Sequence, residues 1–263
     1  MYDFNYHKPS SIDEAIQLFT DLEDAVYLAG GHTLLPSLKL RLAAPTDVID
    51  LAGIPGLNGI DYSGDDLKVG ALTPHDDVST SPVVQSVIPA LASLAGGIGD
   101  AQVRNRGTIG GSVANSDPAA DYPAAVLGLG AQLVTNQRTL NADEFFTGMF
   151  ETALEEGELL KEIRFPKPEA AAYVKYPNPA SRYATVGVFM TKTSEGVRVA
   201  ITGAAPSVFR ATDMEAALNA DFSEAALDGI SLDADMMNED LHASAEYRAH
   251  LCVVMAKRAI SQI

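Results

Sequence analysis

Apolar and polar positions follow clear helix and strand periods along residues 1–55, which are expected to form a first subdomain. Ser11 and Glu14 form a capping box ahead of apolar residues at helical spacing, the usual start of an amphipathic helix. The pattern predicts a helix opened by Ser11, a buried strand at residues 25–29, a helix capped by Thr33 that continues to Leu42, and a strand at residues 48–51.

Residues 56–176 show a similar mixture of short strands and helices, and we expect them to form a second subdomain. Pro89 interrupts an apolar stretch that is otherwise helical, so the stretch is expected to divide there. The predicted elements are strands at residues 67–71, 132–135 and 158–165, a helix opened by Thr73-Pro74, a divided helix over residues 83–94, and a helix at residues 124–129.

A third region, residues 177–263, opens with the pattern of a β-hairpin. Its strands and helices mix without a regular βαβ alternation, so the fold class predicted for the whole chain is α+β. The predicted elements are strands at residues 186–192 and 197–201 joined by a turn at residues 193–196, helices near residues 214–218 and 223–227, and a last helix from Ser244 to Ile260.

The composition is that of an ordinary globular protein. Hydrophobic residues make up 47% and charged residues 20% of the 263 positions, which argues against a disordered chain. No stretch reaches the roughly 18 consecutive apolar residues that a membrane span needs. Residues 1–10 lack the basic and apolar regions of a secretory signal. We therefore expect a cytoplasmic protein without a membrane span.

The chain is strongly acidic and contains one cysteine. Its 35 acidic and 18 basic residues give a formal net charge of −17, and a field of this sign repels phosphate backbones. Nucleic-acid binding is therefore not expected. A single Cys252 excludes an internal disulfide and any iron–sulfur cluster or zinc site held by several cysteines of this chain. The histidines are scattered, so no metal site is predicted.

Two glycine-rich loops are the most informative motifs. The first is AGGHTLLP at residues 29–36, after a predicted strand, and the second is GTIGGS at residues 107–112. Glycine permits positive φ and close approach of main-chain N–H groups to an anion, and a helix N-terminus adds partial positive charge. Because neither loop contains a lysine or arginine, a bound diphosphate would depend on backbone amides and on the hydroxyls of Thr33, Thr108 and Ser112.

Spacing alone leaves two interpretations of these loops open. Neither loop has the G-x-G-x-x-G pattern of a dinucleotide-binding fold or the Gly-Lys-Ser/Thr of a P-loop. A single Gly-Gly pair is usually only a turn. Two such loops, each followed by hydroxyl residues, are also typical of an anion site.

The chain resembles the FAD-binding medium subunits of molybdenum hydroxylases, and in particular the aerobic carbon monoxide dehydrogenase type. Three motifs in the same order carry the resemblance: residues 29–36, RNRGTIGGS at residues 104–112 and SDPAAD at residues 116–121. The similarity continues through residues 176–184 and YRAHL at residues 247–251. It covers essentially the whole chain.

This resemblance implies a fold, a cofactor and a set of binding residues. The fold is a two-subdomain FAD-binding region of the PCMH or vanillyl-oxidase type, followed by a smaller C-terminal α+β domain. The two loops would cradle the diphosphate of one non-covalently bound FAD. Asp121 would bind the ribityl hydroxyls, Ile98 and Gly99 would lie near the adenine, Leu160 would pack on the cofactor, and Lys175 and Tyr183 would lie beside the isoalloxazine. The FAD-binding residues are Ala29, Gly30, Gly31, His32, Thr33, Leu34, Ile98, Gly99, Thr108, Gly110, Gly111, Ser112, Asp121, Leu160, Lys175 and Tyr183.

Several of these residues have a structural alternative. Asp121 is equally plausible as a helix cap. Lys175 fits a solvated strand position, and Tyr183 fits a core position. His32 fits a local hydrogen bond. Many relatives carry Asn or Asp where this chain has Ser112, so this position keeps only a hydroxyl.

The resemblance also implies an electron-transfer subunit of a larger oxidoreductase. Electrons would pass from iron–sulfur clusters of a partner to FAD and then to an external acceptor. The implied partners are a small iron–sulfur subunit and a large molybdopterin subunit, assembled as a dimer of heterotrimers. No nucleophile–base set is evident, so no catalytic residue is predicted. Two alternatives stay open: a stand-alone FAD-dependent oxidoreductase of the same fold, and a flavin-free assembly or binding protein.

Overall fold

The computed structural model describes residues 1–263, and its first unit is a small sheet with two helices. The elements are β1 (Asn5–His7), α1 (Ile12–Asp21), β2 (Ala25–Leu28), α2 (Leu34–Lys39), β3 (Asp47–Asp50) and a 3₁₀ helix at Leu51–Gly53. Strand β3 lies between β1 and β2 and is parallel to both. The first glycine loop therefore leaves the sheet at the carboxyl end of β2.

The two helices of this unit differ in how well local sequence predicts them. At the start of α1, the Oγ of Ser11 accepts the N–H of Glu14 at 3.1 Å, as the capping box predicts. Thr33 makes no side-chain capping bond, and α2 ends at Lys39. The predicted Thr33 cap and extension to Leu42 are wrong. Arg41 adopts a φ of +61°, a left-handed conformation that ends a helix.

The second unit is built on a five-stranded antiparallel sheet. Its strands are β4 (Ile60–Ser63), β5 (Asp66–Gly70), β6 (Gln132–Thr135), β7 (Thr139–Asn141) and β10 (Leu160–Pro166), in the order β4-β5-β10-β6-β7. Its helices are α3 (His75–Thr80), α4 (Pro82–Val87), α5 (Pro89–Gly96), α6 (Ala101–Arg104), α7 (Ile109–Asn115), α8 (Tyr122–Leu129) and α9 (Ala142–Phe145), and a small hairpin pairs β8 (Phe146–Gly148) with β9 (Glu151–Thr152). Pro89 separates α4 from α5, as expected.

The third unit is an antiparallel sheet covered by a long helix. It contains β11 (Ala170–Pro177), β12 (Ala184–Thr193), β13 (Gly196–Thr202), β14 (Phe209–Arg210), α10 (Thr212–Ala220), α11 (Ala245–Ile260), and 3₁₀ helices at Glu224–Leu227 and Ala234–Met236. The strands follow one another in space as in sequence. The predicted hairpin is confirmed, with Thr193 paired to Gly196 across a two-residue loop. Ser244 caps α11 as predicted.

Strand β11 changes where the third unit begins. It pairs with β12 from Ala170 opposite Lys192 to Pro177 opposite Ala184. The expected division between residues 176 and 177 would separate two paired strands, so the sheet topology places the division before Ala170. Sequence analysis missed this strand because its first three residues are alanines, which give no strand alternation.

Helix α8 packs between the second and third units. All eight of its residues are buried. Its Gly128 lies against Phe189 of β12, where an added Cβ would stand 3.0 Å from the ring. One large apolar core therefore includes residues of both units. None of the helices has the length and apolar character needed to cross a bilayer.

Candidate functional site

A cavity of about 650 Å³ lies where the first glycine loop meets the second unit and the turn before β12. Fifteen of the 33 residues that line it are hydrophobic. Every residue that the sequence assigns to FAD lines this cavity except Lys175: Ala29, Gly30, Gly31, His32, Thr33, Leu34, Ile98, Gly99, Thr108, Gly110, Gly111, Ser112, Asp121, Leu160 and Tyr183. Segments that are far apart in sequence therefore meet at one site.

The two glycine loops are in direct backbone contact. A Cβ added to Gly30 would stand 2.0 Å from the carbonyl oxygen of Arg106, at the start of the second loop. Gly110 is equally tight, because its Cβ would stand 2.6 Å from the carbonyl oxygen of Ala71. Gly31 has a φ of +74°, which a side chain rarely adopts. Glycine is therefore required for packing at two positions and for conformation at a third.

The first loop has main-chain donors without partners. The N–H groups of residues 30–34 donate to no acceptor within the chain, although the carbonyl of Gly31 accepts the N–H of Leu35 at 3.0 Å. The absent Thr33 cap is one reason, since that hydroxyl would otherwise accept an amide at the start of α2. Several consecutive unpaired amides that line a cavity form a suitable site for an anion with many oxygens.

The amides of the second loop are mostly engaged by the chain itself. Ile109 and Gly110 donate to the carbonyls of Thr73 and Ala71. Gly111 and Ser112 donate to the hydroxyl and carbonyl of Thr108. Within this loop only the N–H of Thr108 has no acceptor. The expectation that amides of both loops share the anion is therefore corrected: the second loop offers hydroxyls and close approach.

Asp121 and Lys175 form a buried ion pair at the cavity wall. The Nζ of Lys175 lies 3.0 Å from Oδ1 of Asp121 and donates to the carbonyl of Gly97 at 2.9 Å. The hydroxyl of Tyr173 donates to the same carboxylate. Burial raises the pKa of Asp121, while Lys175 and Tyr173 act against this shift. Asp121 makes no helix-capping bond, so the capping alternative is wrong.

Lys175 therefore supports the cavity wall through Asp121 and does not itself line the cavity. Its side chain is 11% exposed, and its ammonium is engaged by a carboxylate and a carbonyl. The alternative of a solvated strand lysine is wrong. The expected position directly beside a flavin ring is not supported either, because Lys175 does not line the cavity.

Tyr183 lines the cavity and lies in a turn that its own carbonyl group closes. Asn178 donates its N–H to the carbonyl of Tyr183 at 2.8 Å, and Arg182 adopts a φ of +64° between them. The ring is 45% exposed, so a core position is wrong. Partial burial and the charges of Asp117 and Asp121 raise the pKa of the Tyr183 phenol, which is protonated at neutral pH.

The same turn contacts the segment at residues 98–99. The Nη1 of Arg182 donates to the carbonyl of Gly99 at 3.0 Å. The Arg182 side chain therefore bridges two segments that line the cavity. The assignment of Ile98 and Gly99 to the adenine end, with Tyr183 at the flavin end, stays a prediction.

Sequence reasoning missed several cavity residues, of which His75 and Arg182 are the most informative. His75 is 5% exposed, and burial, with smaller effects of His32 and Arg104, lowers its pKa to about 4. It is therefore neutral at pH 7. Its Nε2 would stand 2.6 Å from a Cβ at Gly107, so it supports the second loop. The left-handed backbone of Arg182 leaves no mark in the sequence.

These features fit FAD in charge and in shape. Unpaired amides at residues 30–34 match the oxygens of a diphosphate, and the hydrophobic residues of the lining suit a planar ring system. Arg182 is the single lysine or arginine among the lining residues, so the site relies on neutral donors.

The family models that match this chain define its class, the flavin-binding subunits of molybdenum-containing dehydrogenases. The FAD binding domain in molybdopterin dehydrogenase matches residues 2–168, and the CO dehydrogenase flavoprotein C-terminal domain matches residues 171–263. The chain belongs to this family: it is an FAD-binding subunit of an oxidoreductase. The gap between the two matches, residues 169–170, falls at the start of β11.

Individual relatives match along nearly the full chain. The carbon monoxide dehydrogenase medium chain of Hydrogenophaga pseudoflava is 38% identical over 98% of this chain and 96% of that protein. The putative xanthine dehydrogenase FAD-binding subunit of Escherichia coli is 30% identical over 100% and 97%. A carbon monoxide dehydrogenase structure from H. pseudoflava superposes with a TM-score of 0.91 at 40% identity, covering 99% of this chain and 96% of that chain.

Proposed function

We propose that this chain is the electron-transfer subunit of a molybdenum hydroxylase of the carbon monoxide dehydrogenase type. It would receive electrons from iron–sulfur clusters of a partner subunit and pass them to an external acceptor. The observation that carries the proposal is the row of unpaired amides at residues 30–34, which line the same cavity as Tyr183. FAD supplies the chemistry, because it exchanges electrons in one- or two-electron steps.

The residues of the chain have separate parts in this proposal. The amides of residues 30–34 hold the diphosphate, with the hydroxyls of Thr108 and Ser112 opposite. Asp121, which Lys175 and Tyr173 orient, faces the ribityl chain. Each hydrogen bond to a charged oxygen contributes roughly 1.5–3 kcal/mol, so several neutral donors offset the desolvation of a diphosphate.

Tyr183 then lies beside the isoalloxazine, and Ile98 and Gly99 lie near the adenine. Leu160 supplies an apolar contact to the cofactor, and the protonated phenol of Tyr183 is available as a donor.

The proposal of partner subunits starts from the few metal-ligating side chains that this chain offers. Its one cysteine, Cys252, is buried, and no three His, Cys, Asp or Glu side chains group at metal-binding distance. We therefore assign the iron–sulfur clusters to a small subunit and the molybdopterin to a large subunit, in a cytoplasmic dimer of heterotrimers. The relatives named as medium chains support this assignment.

The proposal is tested on the chain expressed with its neighbouring genes. We expect two further subunits to co-purify, and one FAD per chain to appear in the supernatant after acid precipitation. Yellow colour that stays with the precipitate would contradict non-covalent binding.

A second measurement addresses electron flow. We expect a substrate of the complex to bleach the flavin only when the iron–sulfur and molybdenum subunits are present. Rapid bleaching of the chain alone by a small organic substrate would favour a stand-alone oxidoreductase. A chain that is folded yet contains no flavin in the complex would favour an assembly role.

A further inference from the structure

One motif of the sequence takes no part in the cavity. The YRAHL segment at residues 247–251 lies on α11, in the C-terminal domain. Arg248 within it is 4% exposed, so a guanidinium is buried where a hydrophobic side chain would cost less. Its contacts show what this group does.

Arg248 binds the open end of the β12–β13 pair. The ladder between these strands ends at Gly187 opposite Thr202. Beyond this point the Nη1 of Arg248 donates to the carbonyls of Thr185 and Gly203, at 2.7 and 2.9 Å. Asp240 holds Nη2 at 2.6 Å. One guanidinium thus supplies donors to two carbonyls that lie past the last ladder pair.

Gly203 makes this arrangement geometrically feasible. It has a φ of +82°, and a Cβ there would stand 2.4 Å from the carbonyl oxygen of Ala184 and 2.9 Å from that of Thr185. The backbone of Gly203 therefore lies directly against two carbonyl oxygens. Only a residue without a side chain can take this place, and it leaves the carbonyls of Thr185 and Gly203 within reach of the Arg248 guanidinium.

At the same ends of β12 and β13, hydrogen-bond donors contact residues 118–120 of the FAD-binding region. Gly203 donates its N–H to the carbonyl of Pro118 at 2.8 Å, and Ala184 donates to Ala119 at 3.2 Å. The hydroxyl of Thr202 lies 3.0 Å from the carbonyl of Pro118 and 2.7 Å from that of Ala120. The strand ends are thus held between Arg248 on one side and residues 118–120 on the other.

Residues 118–120 lie between two acidic groups of the cavity, Asp117 and Asp121, and Ala184 directly follows Tyr183. We propose that Arg248 is a positioning residue, which sets the flavin-facing wall formed by Asp117, Asp121 and Tyr183 through the ends of β12 and β13. This inference rests on the proposed function, since the wall matters only if FAD occupies the cavity. Hydrogen bonds in such a chain polarise and strengthen one another.

The test compares Arg248→Met with Arg248→Lys and Arg210→Met in the complex that contains the full chain. Arg210→Met is the control: it removes another arginine of this domain, which binds the buried carboxylate of Glu215 and forms no hydrogen bond with residues 116–121. The readouts are the FAD dissociation constant and the flavin reduction potential.

We expect Arg248→Met to weaken FAD binding about tenfold and to shift the reduction potential, because two buried carbonyls lose their donor. Arg248→Lys should partly restore both the FAD affinity and the reduction potential, since an ammonium keeps the positive charge but lacks the paired donors of a guanidinium. Arg210→Met should leave both values at those of the wild type. Thr202→Val keeps the side-chain volume and should also weaken FAD binding. It tests the same inference if Arg248→Met does not fold.

Three outcomes would overturn the inference. The first is wild-type affinity and potential in both Arg248→Met and Thr202→Val. The second is an equal loss in Arg210→Met, which would indicate general destabilisation. The third is a wild-type complex without FAD, which would overturn the proposed function as well and is recognised before any variant is made.

Discussion

The glycines of the two loops differ in what an added side chain would meet. Gly30 and Gly110 face backbone atoms of Arg106 and Ala71, which cannot move without displacing a loop. Gly31 and Gly111 face mainly side-chain atoms, of Leu35 and Thr108. The first pair is therefore needed for the loops to pack, and the second pair affects the cavity while the fold persists.

Gly31→Val should remove FAD from a folded chain, and Gly111→Val should do the same. A β-branched residue at a φ of +74° is strained by about 1–3 kcal/mol and displaces the unpaired amides of the first loop. The measurement is the ratio of flavin to protein, with circular dichroism to monitor folding.

Gly229→Val is the control for backbone strain. Gly229 has a φ of +82° and no neighbour within 4 Å, and it lies outside the cavity. The Gly229→Val variant should be destabilised about as much as Gly31→Val and should keep its flavin. Full occupancy in both loop variants would remove these loops from the binding site.

The Lys175–Asp121 pair connects strand β11 to the start of helix α8. The strand belongs to the C-terminal sheet, and the helix belongs to the FAD-binding region. Since both groups are nearly buried, their attraction mainly offsets the cost of burying each charge. Removal of one partner should therefore cost far more than removal of both.

Lys175→Met should lower the free energy of unfolding by about 3–5 kcal/mol at pH 8, because a carboxylate stays buried without its cation. The Lys175→Met/Asp121→Asn double variant should recover most of this loss. Burial raises the pKa of Asp121 above its unfolded value, so the folded single variant takes up a proton as pH falls. Its loss should shrink at pH 5.

Urea unfolding of the four proteins of this cycle, at both pH values, measures these differences. Additive effects of the two substitutions would show that the pair contributes no coupling between strand and helix.

The charge of the whole molecule acts on stability through its field. A net charge of −17 makes the folded chain repel itself, and salt weakens that repulsion because the Debye length falls from about 10 Å at 0.1 M to about 3 Å at 1 M. The effect belongs to the surface as a whole and not to any one ion pair.

Potassium chloride should therefore raise the melting temperature. We expect about 2–4 °C between 0.05 and 0.5 M, which corresponds to about 1 kcal/mol for a chain of this size. Tetramethylammonium chloride at equal ionic strength is the control for a specific potassium effect and should act equally. A melting temperature that falls with both salts would contradict the argument.

Local sequence was sufficient wherever the determining contacts are local. The Ser11 cap, the division at Pro89, the turn after Thr193 and the Ser244 cap all depend on residues within four positions, so their chemistry can be read directly. The glycine motifs likewise contributed to the family resemblance that implied FAD, and the single cysteine excluded an iron–sulfur cluster held by several cysteines of this chain.

Folding determined the features that depend on distant residues. Thr33 forms no side-chain cap for helix α2. Gly30 packs on Arg106, which is more than 70 positions away in the sequence. The unpaired amides of residues 30–34 belong to this same loop. Lys175 looks like a surface lysine until β11 brings it to Asp121. Local preferences are worth only about 1 kcal/mol per residue, whereas burial, ion pairing and backbone packing between distant segments cost or contribute several times more. The sequence motifs thus indicated the cofactor through the family resemblance, and the tertiary contacts determined which amides and side chains line its cavity.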